Sequence, residues 1–455
     1  MRAVVILLSL LVALGLGLRR PIVYIPGLGG SKLVAEFFPD ASWPTGGPMT
    51  YICGFDLTTL GGRVAELWPQ VRYIDDLGGH LEASVYCRAW LLQLIPDPLP
   101  VGDFRVGFYA NVTAPGFGEY GVYGVTNFEV QMWLYGYVLG GNYRTAYWDW
   151  RQTPALLDVQ YGWMDNLKTM ITEMVTEYEH PVVVVGHSSG NHLAHYFLTQ
   201  YLDSDPGWKA DNIHWYVCVA SGLGGFSAAL GCGAFVINAA VTAPAAPDSE
   251  FARIVEELFL IGTTPFMIWS QPQTQAWGDI VPYYFEDGGD LVPETCGVWP
   301  FEFMLTATNV NAWTIASPEN TLVWPQENFF NVSPGVDSTV ICGYGLPTES
   351  TLVYESSTGG LFGVYSLQPT EFVITPGVDG DSAIPEQVCN CTHVWEEDTS
   401  ITVEKIRFLN VTHENLLWSP KVVATWIFHA VEAESSAFSW NWFWSGVNSG
   451  VLGRK

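Results

Sequence analysis

The stretch "PVVVVGHSSGNHLAHYFL", residues 181–198, sets Ser188 between Gly186 and Gly190 at the end of an all-valine run. A serine hydroxyl is a weak nucleophile at its own pKa; it needs a base, and the base needs an orienting carboxylate. It also needs a strained turn between a strand and a helix, with small residues on both sides, so that the helix's first N–H groups lie near the reacting atom. Residues 182–202 read as that strand, turn and helix, and side chains at 186 or 190 would collide with the neighbouring strand and helix. Ser188 is therefore the candidate nucleophile, and the alternative is one small residue in a tight turn.

The base and acid are expected later in the chain, each on a loop after a strand. His192 and His195 belong to the helix after Ser188, His214 begins a strand, and His429 lies inside the last helix. His413 stands between the strand "ITVEKIRFLNV" and that helix, where a base belongs; His393, in a loop rich in cysteine, is the weaker rival. For the acid, "TEFVITPGVDGDSAIP" places Asp379 and Asp381 in a glycine turn after a strand, and spacing does not choose between them. A tetrahedral oxyanion needs two backbone N–H donors. Ser189, the residue after the nucleophile, supplies one, and Leu28 in the loop "PGLGG" at 26–30 is the candidate for the other. The same loop fails as a nucleotide site, because Lys32 sits where G-x-G-x-x-G needs its third glycine and no GK[ST] ending follows.

The elements that must position these groups follow from periodicity. "PIVYIPGLGG" is a short β-branched and aromatic strand stopped by Pro26 and glycines. Apolar residues from Trp163 to Tyr178 recur at helical spacing, which predicts a helix over 158–179, and Val182–Val185 form a fully apolar strand. "IHWYVCVASGLGG" repeats the opening pattern, and "STVICGYG", "TEFVITPG" and "ITVEKIRFLNV" continue the strands before a last helix around 419–433. Such alternation predicts an α/β fold with a mainly parallel sheet and a ligand crevice at the strand carboxyl ends. Residues 46–105, bracketed by Cys53 and Cys87, and residues 228–335, rich in proline and aromatics, do not read as sheet layers. The first is expected to be a disulfide-closed excursion whose tryptophans suit a lipid interface, the second a cap or lid.

Composition narrows the function classes. Acidic residues outnumber basic ones 46 to 18 in 455 residues, a net charge of −28, so a grip on nucleic-acid phosphates is excluded. Residues 1–19 read as a secretory signal peptide, with a short membrane anchor as the alternative. Residues 20–455 then form one lumenal or extracellular domain. Sequons at Asn111, Asn390 and Asn410 agree with that compartment, whereas Asn331-Val332-Ser333 is followed by Pro334. Eight cysteines without CxxC pairs or zinc-spaced histidines fit disulfides and free thiols rather than a metal site.

With these residues placed, the chain resembles the lecithin:cholesterol acyltransferase family, which includes lysosomal phospholipase A and plant and yeast phospholipid acyltransferases. The resemblance rests on "PIVYIPGLGGSKL", "APGFG" at 114–118, "YRTAYWDWRQTP" at 143–154, "VVGHSSG", "VICGYGLPTESTLVY", "DGDSAIPEQVC" and "THENLLW". It spans roughly residues 20–155, 160–230 and 335–430. The likeness implies an α/β-hydrolase fold and a Ser188, Asp381, His413 triad with Leu28 and Ser189 at the oxyanion position. It also implies disulfides Cys53–Cys87 and Cys342–Cys389, leaving Cys218, Cys232, Cys296 and Cys391 unassigned. The implied activity moves a fatty acyl chain from a glycerophospholipid, through an acyl-enzyme, to a lipid alcohol or water. It acts at a phospholipid membrane or lipoprotein-like surface and needs no metal or organic cofactor. The alternatives are a non-phospholipid esterase on the same fold or an inactive lipid-binding relative. The implied compartment is the secretory pathway: a lysosome- or vacuole-like organelle, the ER lumen or the exterior. Trp148, where the family carries tyrosine, and Ser382-Ala383 after the aspartate are departures from its pattern.

Overall fold

The computed structural model describes residues 19–31, 126–150, 152–225, 276, 329–348, 350 and 378–430, with further strands at 33–37, 64–68, 72–74, 110–113, 283–287, 290–294, 351–360, 363–365 and 371–373. Cys53, Cys87 and residues 1–18 lie outside the described residues, as do most of 46–105 and 228–335.

Four consecutive valines suit a strand buried on both faces, the situation of a central strand in a parallel sheet. Val182–His187 is such a strand, every residue of it buried. The central sheet comprises β1 (Ile22–Ile25), β2 (Tyr143–Thr145), β3 (Val182–His187), β4 (Ile213–Val219), β5 (Ser338–Tyr344) and β6 (Val403–Leu409). Its order is β6-β5-β4-β3-β1-β2, and every neighbouring pair is parallel. All six carboxyl ends therefore share one edge, and the turns carrying Leu28, Ser188 and His413 leave from it.

Helices cover both faces. One face sends Ile22, Tyr24, Val183, Val185, Val217, Val219 and Ile341 into a cluster with Phe128 and Met132 of α1 (Thr126–Leu134). Leu416, Leu417, Val422 and Trp426, from the last helical turns among the described residues, complete that layer. The other face packs against α3 (Trp163–Tyr178) and α4 (Gly190–Tyr196), whose Met164, Leu167, Ile171, Met174 and Leu193 are all buried. Among the described residues no helix is long and apolar enough to cross a membrane.

The structure corrects several expectations. The helix expected over 158–179 is two, because Thr153 caps an earlier start at Pro154 and α2 (Pro154–Tyr161) ends at Gly162 in the left-handed region, φ +59°. The strand within "TEFVITPG", Glu371–Val373, is not in the central sheet; it pairs antiparallel with Thr351–Gly360. That second sheet also takes in Tyr283–Asp287 and Asp290–Glu294, so the region 228–335 carries strands of its own. Likewise Val64–Trp68 and Arg72–Ile74, inside 46–105, join Leu33–Phe37 and Ala110–Thr113 in a separate antiparallel sheet. The last helix is three short pieces, Asn415–Trp418, Pro420–Trp426 and Ile427–His429, restarted where Pro420 takes the first turn.

A disulfide joins Cys342 on β5 to Cys389, 47 residues further along. It ties the segment after Asp381 to the central sheet. The double variant Cys342→Ala/Cys389→Ala is expected to lose roughly 2–5 kcal/mol of stability, the usual cost of removing a native bridge. Urea unfolding measures this, and an unchanged midpoint would show that the bridge contributes nothing.

Candidate active site

Ser188 follows β3 directly and has φ +54°, a left-handed backbone that few non-glycine residues adopt. The surroundings leave it no relaxed alternative. A Cβ on Gly186 would stand 2.4 Å from the Asn191 Oδ1, and one on Gly190 would stand 2.3 Å from the Ile25 carbonyl oxygen and 2.6 Å from that of Pro26. The Gly190 contacts are with backbone and leave room for glycine alone, and a side chain at 186 would displace the Asn191 amide that holds the turn. The Ser188 N–H donates to the Val219 carbonyl at 3.0 Å, which pins the turn to the end of β4.

His413 lies beyond β6. Its Nδ1 meets Asp381 Oδ2 at 2.8 Å, and its backbone N–H donates to the Asp381 carbonyl, also at 2.8 Å. The other carboxylate oxygen, Oδ1, accepts the N–H groups of Ala383 at 3.0 Å and Ile384 at 2.7 Å. Burial opposes the charge on Asp381, but the imidazole and these donors outweigh it and hold the carboxyl below the ordinary aspartate range. Burial also opposes a charged His413; the Asp381 carboxylate outweighs that too, so the imidazole sits above its ordinary value. With Nδ1–H committed to Asp381, Nε2 is left as the proton acceptor.

Asp379 does something else: its carboxylate is exposed and accepts the Gly345 N–H at 3.1 Å. Asp381 reaches the sheet edge through a long route. After β5 the chain leaves for the second sheet, then returns at Asp379–Gly380, which pair with Leu346–Pro347. There Asp381 packs on Gly343, where a Cβ would come within 2.6 Å of its own. His393, the rival base, is exposed.

The loop at 26–30 stands against the Ser188 turn. A Cβ on Gly27 would lie 2.9 Å from the Ser188 Cβ, and the Gly30 N–H closes the loop onto the Gly27 carbonyl at 3.0 Å. Leu28 is at the crest of that turn, and Ser189, fully buried, stands immediately before α4.

Three groups without a role in the sequence reading gather here. Asn191 Nδ2 donates to the carbonyls of Ser188 at 3.0 Å and Val219 at 2.8 Å, while its Oδ1 accepts the Tyr216 hydroxyl at 2.9 Å. His187 lies beside His413, ring centres 5.1 Å apart, with its Nε2 3.3 Å from the His413 carbonyl. Burial, reinforced by His413, pushes its pKa down to about 3, so His187 stays neutral and serves as a donor. The Trp148 indole N–H donates to the Pro26 carbonyl at 2.8 Å. His187 and Asn191 sit within the quoted turn itself, where neighbourhood alone is a signal; Trp148 is far away in sequence.

The remaining candidates stand apart from this chemistry. His192 and His195 are buried and held neutral by burial, His195 stacked on Trp395. Cys218 and Cys391 are buried free thiols, with Cys218 pushed up to about 11 by burial, and so are not thiolate nucleophiles. Asn390 and Asn410 are exposed, and Asn111 lies on the strand Ala110–Thr113.

The lecithin:cholesterol acyltransferase family model matches residues 123–233, from α1 through the Ser188 turn to beyond β4. Phosphatidylcholine-sterol acyltransferase of Gallus gallus is 24% identical over 322 residues, covering 68% of this chain and 70% of that protein. The Homo sapiens protein of the same name is 23% identical over 421 residues, covering 88% and 82%. Lysosomal phospholipase A and acyltransferase of Canis lupus familiaris is 30% identical over 225 residues, covering 48% of this chain and 51% of that one.

The two carboxylates predict opposite outcomes. Asp381→Asn should cut ester turnover on the order of 10⁴-fold, by reversing the imidazole's tautomer and orientation, while Asp379→Asn keeps it; equal losses would refute the pairing. The raised imidazole value fixes the pH sign as well. His413 must be neutral to accept a proton, so kcat/KM should fall as pH drops through a midpoint above that of an ordinary histidine. A pH–rate profile reads it directly.

Proposed function

Taking as premise that this chain is a relative of the lecithin:cholesterol acyltransferases and lysosomal phospholipases A, we propose that it is a serine-dependent acyltransferase and phospholipase acting on glycerophospholipids. The reading is carried by the 2.8 Å His413–Asp381 pair at the same sheet edge as the strained Ser188 turn.

In this mechanism His413 Nε2 takes the Ser188 hydroxyl proton as the oxygen attacks the carbonyl carbon of a fatty ester. Asp381 holds the imidazole through Nδ1 and stabilises it when it becomes charged. The carbonyl oxygen becomes an oxyanion that accepts the backbone N–H groups of Leu28 and Ser189. Collapse expels the lysolipid, whose leaving oxygen takes the proton from His413, and leaves a Ser188 ester. A lipid alcohol or water then gives its proton to His413 and attacks that ester, and collapse releases the new ester or the fatty acid while His413 returns the proton to the Ser188 oxygen.

The insertions at 46–105 and 228–335 are proposed as the membrane-binding excursion and the cap over the acyl chain. The Cys342–Cys389 disulfide supports a lumenal or extracellular site of action, with which the leader-like composition of residues 1–19 and the sequons at Asn111, Asn390 and Asn410 agree.

A fluorophosphonate should label folded wild-type protein and fail on Ser188→Ala. Incubation with phosphatidylcholine vesicles carrying a labelled acyl chain, with and without sterol or diacylglycerol, should release fatty acid or form a new ester. Labelling at Ser188 without either product would replace the phospholipid reading by an esterase for other substrates. A folded protein that is not labelled would be a lipid-binding relative without turnover.

A further inference from the structure

The oxyanion loop is made of residues that do not hold their own shape. Gly27, Gly29 and Gly30 leave three of its backbone positions unrestrained by a side chain, and Gly29 has φ +70°. A backbone bond from the Gly30 N–H to the Gly27 carbonyl closes the turn. A donor that must meet a developing charge has to be held in place before the reaction.

Restraint comes from the segment after β2, through three bonds. The Trp148 indole N–H donates to the Pro26 carbonyl at 2.8 Å, the Trp148 backbone N–H donates to Ser31 Oγ at 3.1 Å, and the Trp150 indole N–H donates to the Ser31 carbonyl at 3.2 Å. Trp148, Trp150 and Ser31 are all completely buried. The loop is thus gripped at the residue before Gly27 and again at the residue after Gly30. On its other side the Pro26 carbonyl faces α4, within 2.6 Å of where a Cβ on Gly190 would be. The peptide joining Pro26 to Gly27 is therefore wedged between the Trp148 indole and the start of the helix that carries Ser189.

We propose that Trp148 is a positioning residue of the oxyanion hole: its indole N–H fixes the plane of the Pro26–Gly27 peptide and so aims the next N–H but one, that of Leu28, at the oxygen of the reacting ester. This rests on the reading of Ser188 as nucleophile and Leu28 as oxyanion donor. Trp148 touches no substrate. An indole has a single donor and no acceptor, and when buried it needs a partner; here that partner is the one carbonyl whose orientation decides where the loop points. The tyrosine of the family pattern carries its donor at a different place on the ring, so this grip belongs to tryptophan at this position.

The test uses the full chain and a soluble p-nitrophenyl ester. Trp148→Phe removes the donor. Misplacing a catalytic group by about an ångström costs on the order of 10²-fold, so kcat should fall roughly 10- to 100-fold with KM within about two-fold. The acid limb of the pH profile should stay where it is, because Asp381 and His413 are untouched. Site-specific replacement of Trp148 by β-(3-benzothienyl)alanine, which keeps the ring shape and puts sulfur in place of N–H, should give the same kcat loss with wild-type folding. The proposal is overturned if the folded analogue keeps wild-type kcat, if KM rises while kcat holds, or if the acid limb moves. If wild-type protein is neither labelled at Ser188 nor active on esters, the functional reading itself fails and this role falls with it. An active parent with an unaffected analogue refutes the positioning role alone.

Discussion

One backbone angle organises this molecule. A left-handed serine costs on the order of 1–3 kcal/mol and persists only where its surroundings over-determine it. At Ser188 the over-determination is visible from every side: β3 delivers it, the Val219 carbonyl holds its N–H, Asn191 holds its carbonyl, and Gly27 and Gly190 admit the neighbouring chain. The parallel sheet supplies the stiffness. Because all six strands point the same way, loops from β1, β3, β5 and β6 converge on one edge without the chain having to cross itself.

Polar groups around the turn form a hierarchy set by burial. Asp381 is almost wholly withdrawn from solvent yet stays charged, since one oxygen faces His413 and the other two backbone N–H groups. Two imidazoles stand side by side, and their environments separate them: at His187 burial prevails and the ring remains neutral, whereas His413 is bonded directly to the Asp381 carboxylate and gains proton affinity. A proton entering this site therefore has one destination.

What was legible in the sequence follows the range of the forces involved. The Ser188 turn is encoded by contiguous residues, valines for the buried strand and glycines for the close approach, and so could be read directly. The break at Gly162 is also local, but a glycine inside an apolar periodic run reads equally as a tolerated helix residue or as a cap, and only the left-handed φ decides. Glu371–Val373 has the composition of a strand, yet nothing in it states which sheet it joins. Asp379 lies within a two-residue pairing with Leu346–Pro347 and Asp381 just beyond it, a difference set by a long-range contact. Trp148 was legible as part of a motif and silent as to role, because its partner, Pro26, stands 122 positions away.

The Cys342–Cys389 bridge has a meaning beyond the stiffness it lends. It closes across the excursion that brings Asp381 back to the sheet, and it forms only where thiols are oxidised. A copy of the chain held in a reducing cytosol would carry the serine turn, which needs no cross-link, while the returning acid segment would lack its tether. Reduction would therefore act on the acid segment and leave the serine turn as it is, so the two halves of the candidate site differ in their dependence on an oxidising environment.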